Sequence, residues 1–172
     1  MKLGGALALR NNQPVGDYCP IERALGLLQP QSTILVLREA FYGATRFDEF
    51  TARTDLTDAT TSARLRDLVR AGILETRPYQ EPGQRRRDEY VLTPSGAALM
   101  PAVFALLQWA NEHTPPPYPP AMTHDGCGEP VTITAHCAAG HHVEADDILV
   151  TAAGPFGLDD PISLESWEGR TA

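Results

Sequence analysis

Two short motifs near the C-terminus contain side chains that bind transition metals. His124 and Cys127 are separated by two residues, and Cys137 and His141 are separated by three. Imidazole and thiolate groups in two closely spaced pairs are the ligands of structural zinc sites, where they surround one tetrahedral ion. Because four protein ligands leave no open position, such an ion would support the fold and take no part in a reaction. A Cys127–Cys137 disulfide is the alternative that the spacing leaves open.

A third cysteine, Cys19, directly precedes Pro20. Since proline is favoured at the first position of a helix, this order predicts that the Cys19 thiol lies at a helix N-terminus. The partial positive charge at such a terminus favours the reactive thiolate form of a cysteine. The pattern therefore fits a thiol that senses oxidants or electrophiles. It also fits a small residue that is buried at a contact between subunits.

Arginine side chains, which bind phosphates and base edges, are concentrated in the middle of the chain. Residues 44–92 contain nine Arg and nine Asp or Glu, and Arg85, Arg86 and Arg87 are consecutive. Residues 93–172 contain one Arg and ten acidic residues, so the net charge of −8 comes from the C-terminal part. A chain that is acidic overall can therefore still present a local surface that attracts a polyanion.

One predicted helix positions three of the arginines that precede this cluster. Thr57 is a favourable N-cap, and Gly72 provides the C-terminal stop. Thr61, Leu65 and Leu68 recur at the spacing of a buried helical stripe. The side chains outside that stripe are small, hydroxylic or cationic: Ala59, Thr60, Ala63, Arg64, Arg66 and Arg70.

Shorter helices are predicted before this helix, and a β-hairpin is predicted after it. The helices cover about 20–28, 32–42 and 46–53. The hairpin strands cover 73–79 and 88–92, and the three consecutive arginines lie between them. A long helix, from Pro94 to about His113, has a wide apolar stripe. Such a stripe is typical either of a dimer contact or of packing on the protein's own core.

Composition divides the chain into four segments. Residues 1–16 are predicted to be a flexible arm, and residues 17–113 form the main domain. Residues 114–120 are a proline-rich linker, and residues 121–172 are an acidic extension that contains the candidate zinc hairpin. The predicted fold class is mainly α with a small β-hairpin (α+β). It consists of a winged helix-turn-helix domain and a small, β-rich C-terminal appendage.

Motifs of other functional classes are missing from the sequence. It contains no glycine-rich phosphate loop and no His-Glu-x-x-His motif, so we do not expect an enzyme. It contains no run of about 18 apolar residues, so we expect no membrane span. The N-terminus lacks the pattern of a signal peptide, and we expect a cytoplasmic protein.

A helix-turn-helix followed by a β-hairpin is the arrangement of a winged helix. Its second helix enters the major groove of DNA, and its hairpin reaches phosphates or the minor groove. The sequence therefore predicts double-stranded DNA as the partner. The residues expected to contact DNA are Thr57, Ala59, Thr60, Ala63, Arg64, Arg66, Arg70, Arg85, Arg86 and Arg87. The alternative is a winged-helix module that binds proteins through its acidic tail, without sequence-specific DNA binding.

Six segments resemble, in order, the HxlR-type transcriptional regulators, which are relatives of the MarR winged helices. They are CPIERAL at 19–25, ILVLRE at 34–39, RFDEF at 46–50, RLRDL at 64–68 with AGIL at 71–74, EYVLTPSG at 89–96, and Trp109. The resemblance implies a bacterial homodimer, a repressor or an activator, that binds an inverted repeat near a promoter, with repression as the expected effect. It implies dimerisation through the N-terminal helix and the 94–113 helix. It also implies that Cys19 responds to oxidants or electrophiles, or that the protein responds to a small ligand.

The chain departs from the pattern of these regulators at three places. Gln31-Ser32 stands where a Lys-Trp pair is usual, and Thr61 stands where an aliphatic residue is usual. Some of these regulators have a tail whose second cysteine pair ends where this chain has Gly140. The resemblance therefore supports a structural zinc ion only if His141 replaces the missing cysteine.

Overall fold

The protein is described by a computed structural model at residues 1–10, 14–15, 19–80, 82–83 and 85–152. It divides into two compact units. The larger is Ala24–Ile133, and the smaller comprises the described residues of Met1–Arg23 and Thr134–Ala172. No helix among the described residues is long and apolar enough to cross a membrane.

The core of the larger unit is built from helices whose apolar residues recur at helical spacing. Helix α2 (Pro20–Leu28) leads into this unit and is followed by α3 (Ser32–Phe41), α4 (Phe47–Thr54) and α5 (Asp58–Arg70). Leu37 on α3, Phe50 on α4 and Leu65 on α5 are completely buried together. Burial of a large apolar side chain contributes about 1.5–3 kcal/mol, so these residues fix how the helices pack.

The turn between α4 and α5 is the tight turn that a helix-turn-helix requires. Asp55, which ends α4, has a left-handed backbone with φ of 56°. Thr57 then begins α5, and its side chain accepts the backbone N–H of Thr60. The predicted N-cap of this helix is therefore confirmed.

The start of α4 is held by one carboxylate. Glu49 Oε2 accepts the backbone N–H groups of Thr45 at 2.8 Å and Arg46 at 3.0 Å. These two hydrogen bonds lower the pKa of Glu49, and the charges of Arg53 and Arg46 add to the effect against the opposing effect of burial. Hydrogen bonds to an ionised carboxylate are stronger than neutral ones, so Glu49 helps to order the loop before α4.

A β-hairpin follows α5, as predicted. Strands β2 (Leu74–Tyr79) and β3 (Arg87–Leu92) pair antiparallel, from Leu74 opposite Leu92 to Tyr79 opposite Arg87. We call β2, β3 and the residues between them the wing. The backbone N–H of Tyr90 donates to the carbonyl of Thr45 at 2.7 Å, and the Tyr90 ring meets Phe50 edge-on. These contacts attach the base of the wing to the start of α4.

The segment predicted as one long helix is two helices, α6 (Pro94–Ala97) and α7 (Met100–His113). Thr93 caps α6 by accepting the N–H of Gly96 at 3.0 Å. Pro101 explains the break, because proline lacks an N–H donor and its ring clashes with the preceding helical turn. The prediction of an uninterrupted helix was therefore wrong at Ala98 and Leu99.

The smaller unit joins the two ends of the chain. Strand β1 (Lys2–Gly4) pairs in parallel with β4 (Leu149–Ala152), and a short helix, α1 (Gly5–Leu9), follows β1. The α-amino group of Met1 also contacts Asp146 Oδ1 at 3.1 Å. The residues 1–16 that were predicted as a flexible arm thus contain a strand and a helix. Sequence patterns missed them because the partner strand is almost a full chain length away.

The described part of the C-terminal extension contains less β-structure than predicted. Residues 131–134 are not a strand, and β4 is the one strand of this extension within the described residues. Isolated bridges join Thr123 to Pro130 and His136 to His142. Residues 153–172, which also belong to the predicted extension, lie outside the described residues.

Candidate nucleic-acid interface

The side of α5 that faces away from the core is small and polar near its N-terminus. Ala59 is exposed, and Thr60 and Ala63 are half-buried. The hydroxyl groups of Thr57 and Thr60 lie 2.9 Å apart, so one donates to the other. Small side chains of this kind let a helix approach the floor of a groove closely. The two hydroxyls can still donate to phosphates or bases.

Arg66 and Arg70 complete this outer face of α5, which we define as Ala59, Thr60, Ala63, Arg66 and Arg70. Arg66 is exposed, and its Nε donates to the carbonyl of Ser62 at 3.2 Å. The Arg70 side chain is 76% exposed, and its Nη1 donates to Asp67 Oδ1 at 3.0 Å. Both guanidinium groups retain further N–H donors, because arginine has five.

Arg64 differs from the other predicted contacts on α5. Its side chain is only 18% exposed, and Nη2 lies 3.4 Å from Asp67 Oδ2. Its Nε is buried and has no hydrogen-bond partner among the described residues. Arg64 is three residues after Thr61 and four before Leu68, which places it beside the buried stripe. The same spacing in the sequence separates Arg64 from the outer face.

Asp67 was not among the predicted site residues, although it contacts two of them. Its two oxygens lie within ion-pair distance of Arg64 and Arg70, at 3.4 Å and 3.0 Å. The i, i+3 spacing of these residues on α5 was the available signal. The carboxylate reduces the positive charge of this face and fixes the direction of Arg70.

The arginines of the wing lie at its distal end. Arg85 and Arg86 are exposed and precede β3, whereas Arg87 is the first residue of β3 and pairs with Tyr79. Gly83, at the turn, has a left-handed backbone with φ of 77°. The wing therefore ends in three exposed cationic side chains within the larger unit, which also contains α5.

The wing is joined electrostatically to the helix-turn-helix. The Arg46 guanidinium lies over the Tyr79 ring, 4.9 Å from its centroid. Burial raises the pKa of Tyr90, the charge of Asp88 raises it further, and the charge of Arg66 lowers it. The Arg46–Tyr79 contact favours a fixed orientation of the wing relative to the start of α4.

The four candidate zinc ligands form two local pairs in different units. His124 Nδ1 lies 3.1 Å from Cys127 Sγ in the larger unit, and the N–H of Cys137 donates to the His141 carbonyl in the smaller. Within the described residues, no group of three or more His, Cys, Asp or Glu side chains could hold a metal ion. Cys127 and Cys137 are both free thiols. The zinc site therefore remains a prediction.

Cys19 lies at the N-terminus of α2, as its sequence position predicts. Its Sγ is 3.5 Å from the backbone nitrogen of Glu22, whose N–H points to the sulfur. The side chain is half-buried and the thiol is free. The sulfur therefore takes the place that a hydroxyl or carboxylate oxygen occupies in a usual N-cap.

Comparison of the sequence with known proteins identifies helix-turn-helix regulators as its relatives. The family model described as HxlR-like helix-turn-helix matches residues 27–118. An uncharacterised HTH-type transcriptional regulator of Mycobacterium tuberculosis, Rv3095, is 37% identical over 133 residues, which cover 74% of this chain and 82% of the relative.

Solved structures of similar fold are also described as transcription factors. The crystal structure of PA1607, a putative transcription factor, has 31% identity and a TM-score of 0.70 over 78% of this chain and 95% of its own. A putative transcription factor from Pseudomonas aeruginosa, PA1374, has 30% identity and a TM-score of 0.55 over 89% of this chain and 100% of its own. The winged helix and these matches together show that the chain belongs to the HxlR-like family of DNA-binding, helix-turn-helix transcriptional regulators.

Proposed function

We propose that the protein is a repressor that binds an inverted DNA repeat as a homodimer. In each subunit, α5 lies in the major groove and the wing contacts the neighbouring phosphates or minor groove. The observation that carries this proposal is the outer face of α5, which combines small side chains with exposed arginines. The three wing arginines, in the same unit, add positive charge beside it.

The polar residues of the outer face divide into two roles. Thr60 and Arg66 have donors that can reach base edges, and Arg66 can form a bidentate contact with guanine. The wing arginines contact the backbone or the narrow minor groove, where the potential is most negative. Arg64 is assigned a supporting role, because its side chain is mostly buried and paired with Asp67.

Homodimerisation is supported by exposed apolar side chains on α7. Leu106 is 58% exposed and Trp109 is 57% exposed. Leu25 and Leu27 on α2 are also about half exposed, at 48% and 51%. Large exposed apolar residues that lie close together mark interaction surfaces. A second copy of the chain that covers these helices would bring two α5 helices to the half-sites of a repeat.

In this proposal, Cys19 is the residue through which oxidants or electrophiles change DNA binding. Its sulfur accepts the N–H of Glu22, so alkylation or oxidation of the sulfur changes the start of α2. Because α2 also contributes to the proposed dimer surface, modification alters the spacing of the two α5 helices. If the Cys19→Ser variant loses DNA affinity on diamide treatment to the same extent as the parent, Cys19 is not the sensor.

The second candidate function is a winged-helix module that binds a protein partner through its acidic tail. It is favoured by the ten acidic residues of 93–172. An electrophoretic shift assay on the DNA upstream of the protein's own gene distinguishes the two. We expect a specific complex whose affinity falls steeply with salt, because phosphate contacts release counterions. Equal, weak binding to this DNA and to a scrambled sequence would favour the protein-interaction function.

A further inference from the structure

A cavity of about 690 Å³ lies between α3 and α7 in the larger unit. Ile34 and Leu35 on α3 and Phe104 and Leu107 on α7 give it apolar walls. Pro120 also borders the cavity. Its carbonyl accepts the side-chain N–H of Asn111 at 2.7 Å, which ties the proline-rich segment to α7. A cavity of this size and apolar lining is typical of sites for small organic molecules.

One ion pair supplies the charged groups of this wall, which also contains the polar residues Gln31, Tyr42 and Asn111. The Nε of Arg38 donates to Glu39 Oε1 at 2.8 Å, and Arg38 Nη2 lies 2.6 Å from the same oxygen. The Glu39 side chain is 7% exposed and the Arg38 side chain 35% exposed, so the guanidinium is the more accessible partner. The pair has no net charge, and Arg38 retains N–H donors that Glu39 does not use.

The charge of this pair restricts the class of ligand. An anionic ligand at Arg38 would stand close to the buried Glu39 carboxylate, where repulsion is poorly screened. A cationic ligand would stand close to the Arg38 guanidinium, which would repel it. An uncharged molecule with a carbonyl or hydroxyl oxygen can accept a hydrogen bond from Arg38 without either cost.

We infer that this cavity is an effector site for an uncharged, mainly apolar molecule of roughly one to three rings that carries one hydrogen-bond acceptor. The inference extends the proposed function, because α3 connects the cavity to the helix-turn-helix. Leu37 on α3 packs in the core with Leu65 of α5, and the carbonyl of Glu39 accepts the N–H of Ala44 at 2.9 Å. A ligand that shifts α3 therefore acts on the segment that leads into α4.

The proposed dimer surface on α7 is largely separate from the cavity. Trp109 is two residues after Leu107, which places it about 200° further around the helix. Leu107 lines the cavity, whereas Trp109 does not, and Leu106 borders both surfaces. A second copy that covers Trp109 therefore leaves most of the cavity wall to a small ligand.

Ligand binding can be measured on the full chain without DNA. The probe is N-phenyl-1-naphthylamine, an uncharged dye whose fluorescence rises in apolar surroundings. We expect saturable binding of one dye per chain. Ala110→Trp, which places an indole ring in the cavity, should weaken binding about ten-fold or more, since the added ring competes with the dye for space. Ala97→Trp, at an exposed position on α6, is the matched control and should bind the dye like the parent.

Two additions keep the test decisive. Gln31→Trp, at an exposed position on the edge of the cavity, replaces Ala110→Trp if that variant does not fold. Competition with 2-naphthol and with 2-naphthoate at neutral pH tests the charge argument. The naphthol should displace the dye at a concentration about ten-fold lower than the naphthoate does.

Three results would overturn the inference. Dye binding that neither filling variant weakens would place the dye elsewhere, and displacement by naphthoate as good as by naphthol would refute an uncharged ligand. Absence of dye binding by the parent would also refute the inference. If the Ala110→Trp variant is then a monomer while the parent is a dimer, a second copy of the chain fills the cavity. Dye binding by a parent that fails to bind specific DNA would refute the proposed function alone.

Discussion

The Arg70 guanidinium donates through Nη1 to Asp67 Oδ1 at 3.0 Å, one helical turn earlier on α5. Asp67 also lies 3.4 Å from Arg64, so one carboxylate directs two cations next to the proposed DNA contact. An acidic residue on a DNA-binding face repels phosphates. Here the repulsion comes from the same carboxylate that orients Arg64 and Arg70. Substitution of Asp67 measures which effect is larger, the orientation of the arginines or the repulsion of DNA phosphates.

Asp67→Asn should tighten binding to all DNA sequences and reduce the ratio of specific to non-specific affinity. The substitution removes a negative charge from the interface and releases Arg70 from its fixed direction. Fluorescence anisotropy with operator and scrambled duplexes measures both affinities. Asp125→Asn, in the exposed tail, makes the same change in net charge and should alter neither. Equal effects of the two substitutions would show that only net charge matters.

Thr61→Val should raise the free energy of unfolding by about 1 kcal/mol. Thr61 is completely buried, and its Oγ1 has no hydrogen-bond partner within the described parts of the chain. Valine has nearly the same shape and removes the unpaired hydroxyl. Urea unfolding provides the measurement.

Thr33→Val is the matched control for this substitution. Thr33 is also completely buried, but its Oγ1 donates to the carbonyl of Gln29 at 3.0 Å. Its replacement should therefore lower the free energy of unfolding by about 1 kcal/mol. Destabilisation by Thr61→Val as large as that by Thr33→Val would mean that the Thr61 hydroxyl has a partner.

Gly96→Ala should destabilise the domain by several kcal/mol, because there is no room for a Cβ at this position. An added Cβ would overlap the carbonyl oxygen of Ile73, which also accepts the N–H of Thr93. Gly26→Ala on α2 is the control, since nothing lies within 4 Å of its Cβ position. Alanine should stabilise that helix by about 0.5–1 kcal/mol. Thermal unfolding that ranks the two variants in the opposite order would contradict the packing of α6 on Ile73.

Glu49→Gln should destabilise the protein at neutral pH and have a smaller effect in acid. The folded state lowers the pKa of Glu49, so the stability it contributes is fully present above the unfolded pKa, about 4.3. That contribution is lost as the pH falls through the lower folded pKa. Unfolding of parent and variant between about pH 7 and pH 3 should therefore give a difference that shrinks in acid. A difference that is constant with pH would contradict the role of the ionised carboxylate.

The elements of the winged helix could be predicted from sequence because their signals are local. The N-cap at Thr57, the stop at Gly72 and the hairpin around Gly83 depend on a few neighbouring residues. The pairing of Lys2 with Leu149 could not be predicted, since the partners lie at opposite ends of the chain. The apolar stripe of 94–113 also gives no sign of the break before Met100, because apolar residues continue on both sides of Pro101.

The positions of the site residues could be predicted from the sequence, but the ion pairs of Asp67 with Arg64 and Arg70 were not. Exposed positions such as Arg66 and Arg85 follow from the helical period and from the hairpin. The partial burial of Arg64 follows from the same period, once its distance to Thr61 and Leu68 is considered. The cavity beside Arg38 depends on the separation of α3 and α7, which no local pattern encodes.

The most direct test of DNA docking is the salt-dependent affinity of a variant in which Arg66 and all three wing arginines are replaced by serine. Fluorescence anisotropy with the upstream duplex, over a series of salt concentrations, compares this variant with the parent. We expect loss of most of the affinity and a salt slope that is smaller by about one for each phosphate contact removed. An unchanged affinity and slope would contradict the account that α5 and the wing hold the DNA.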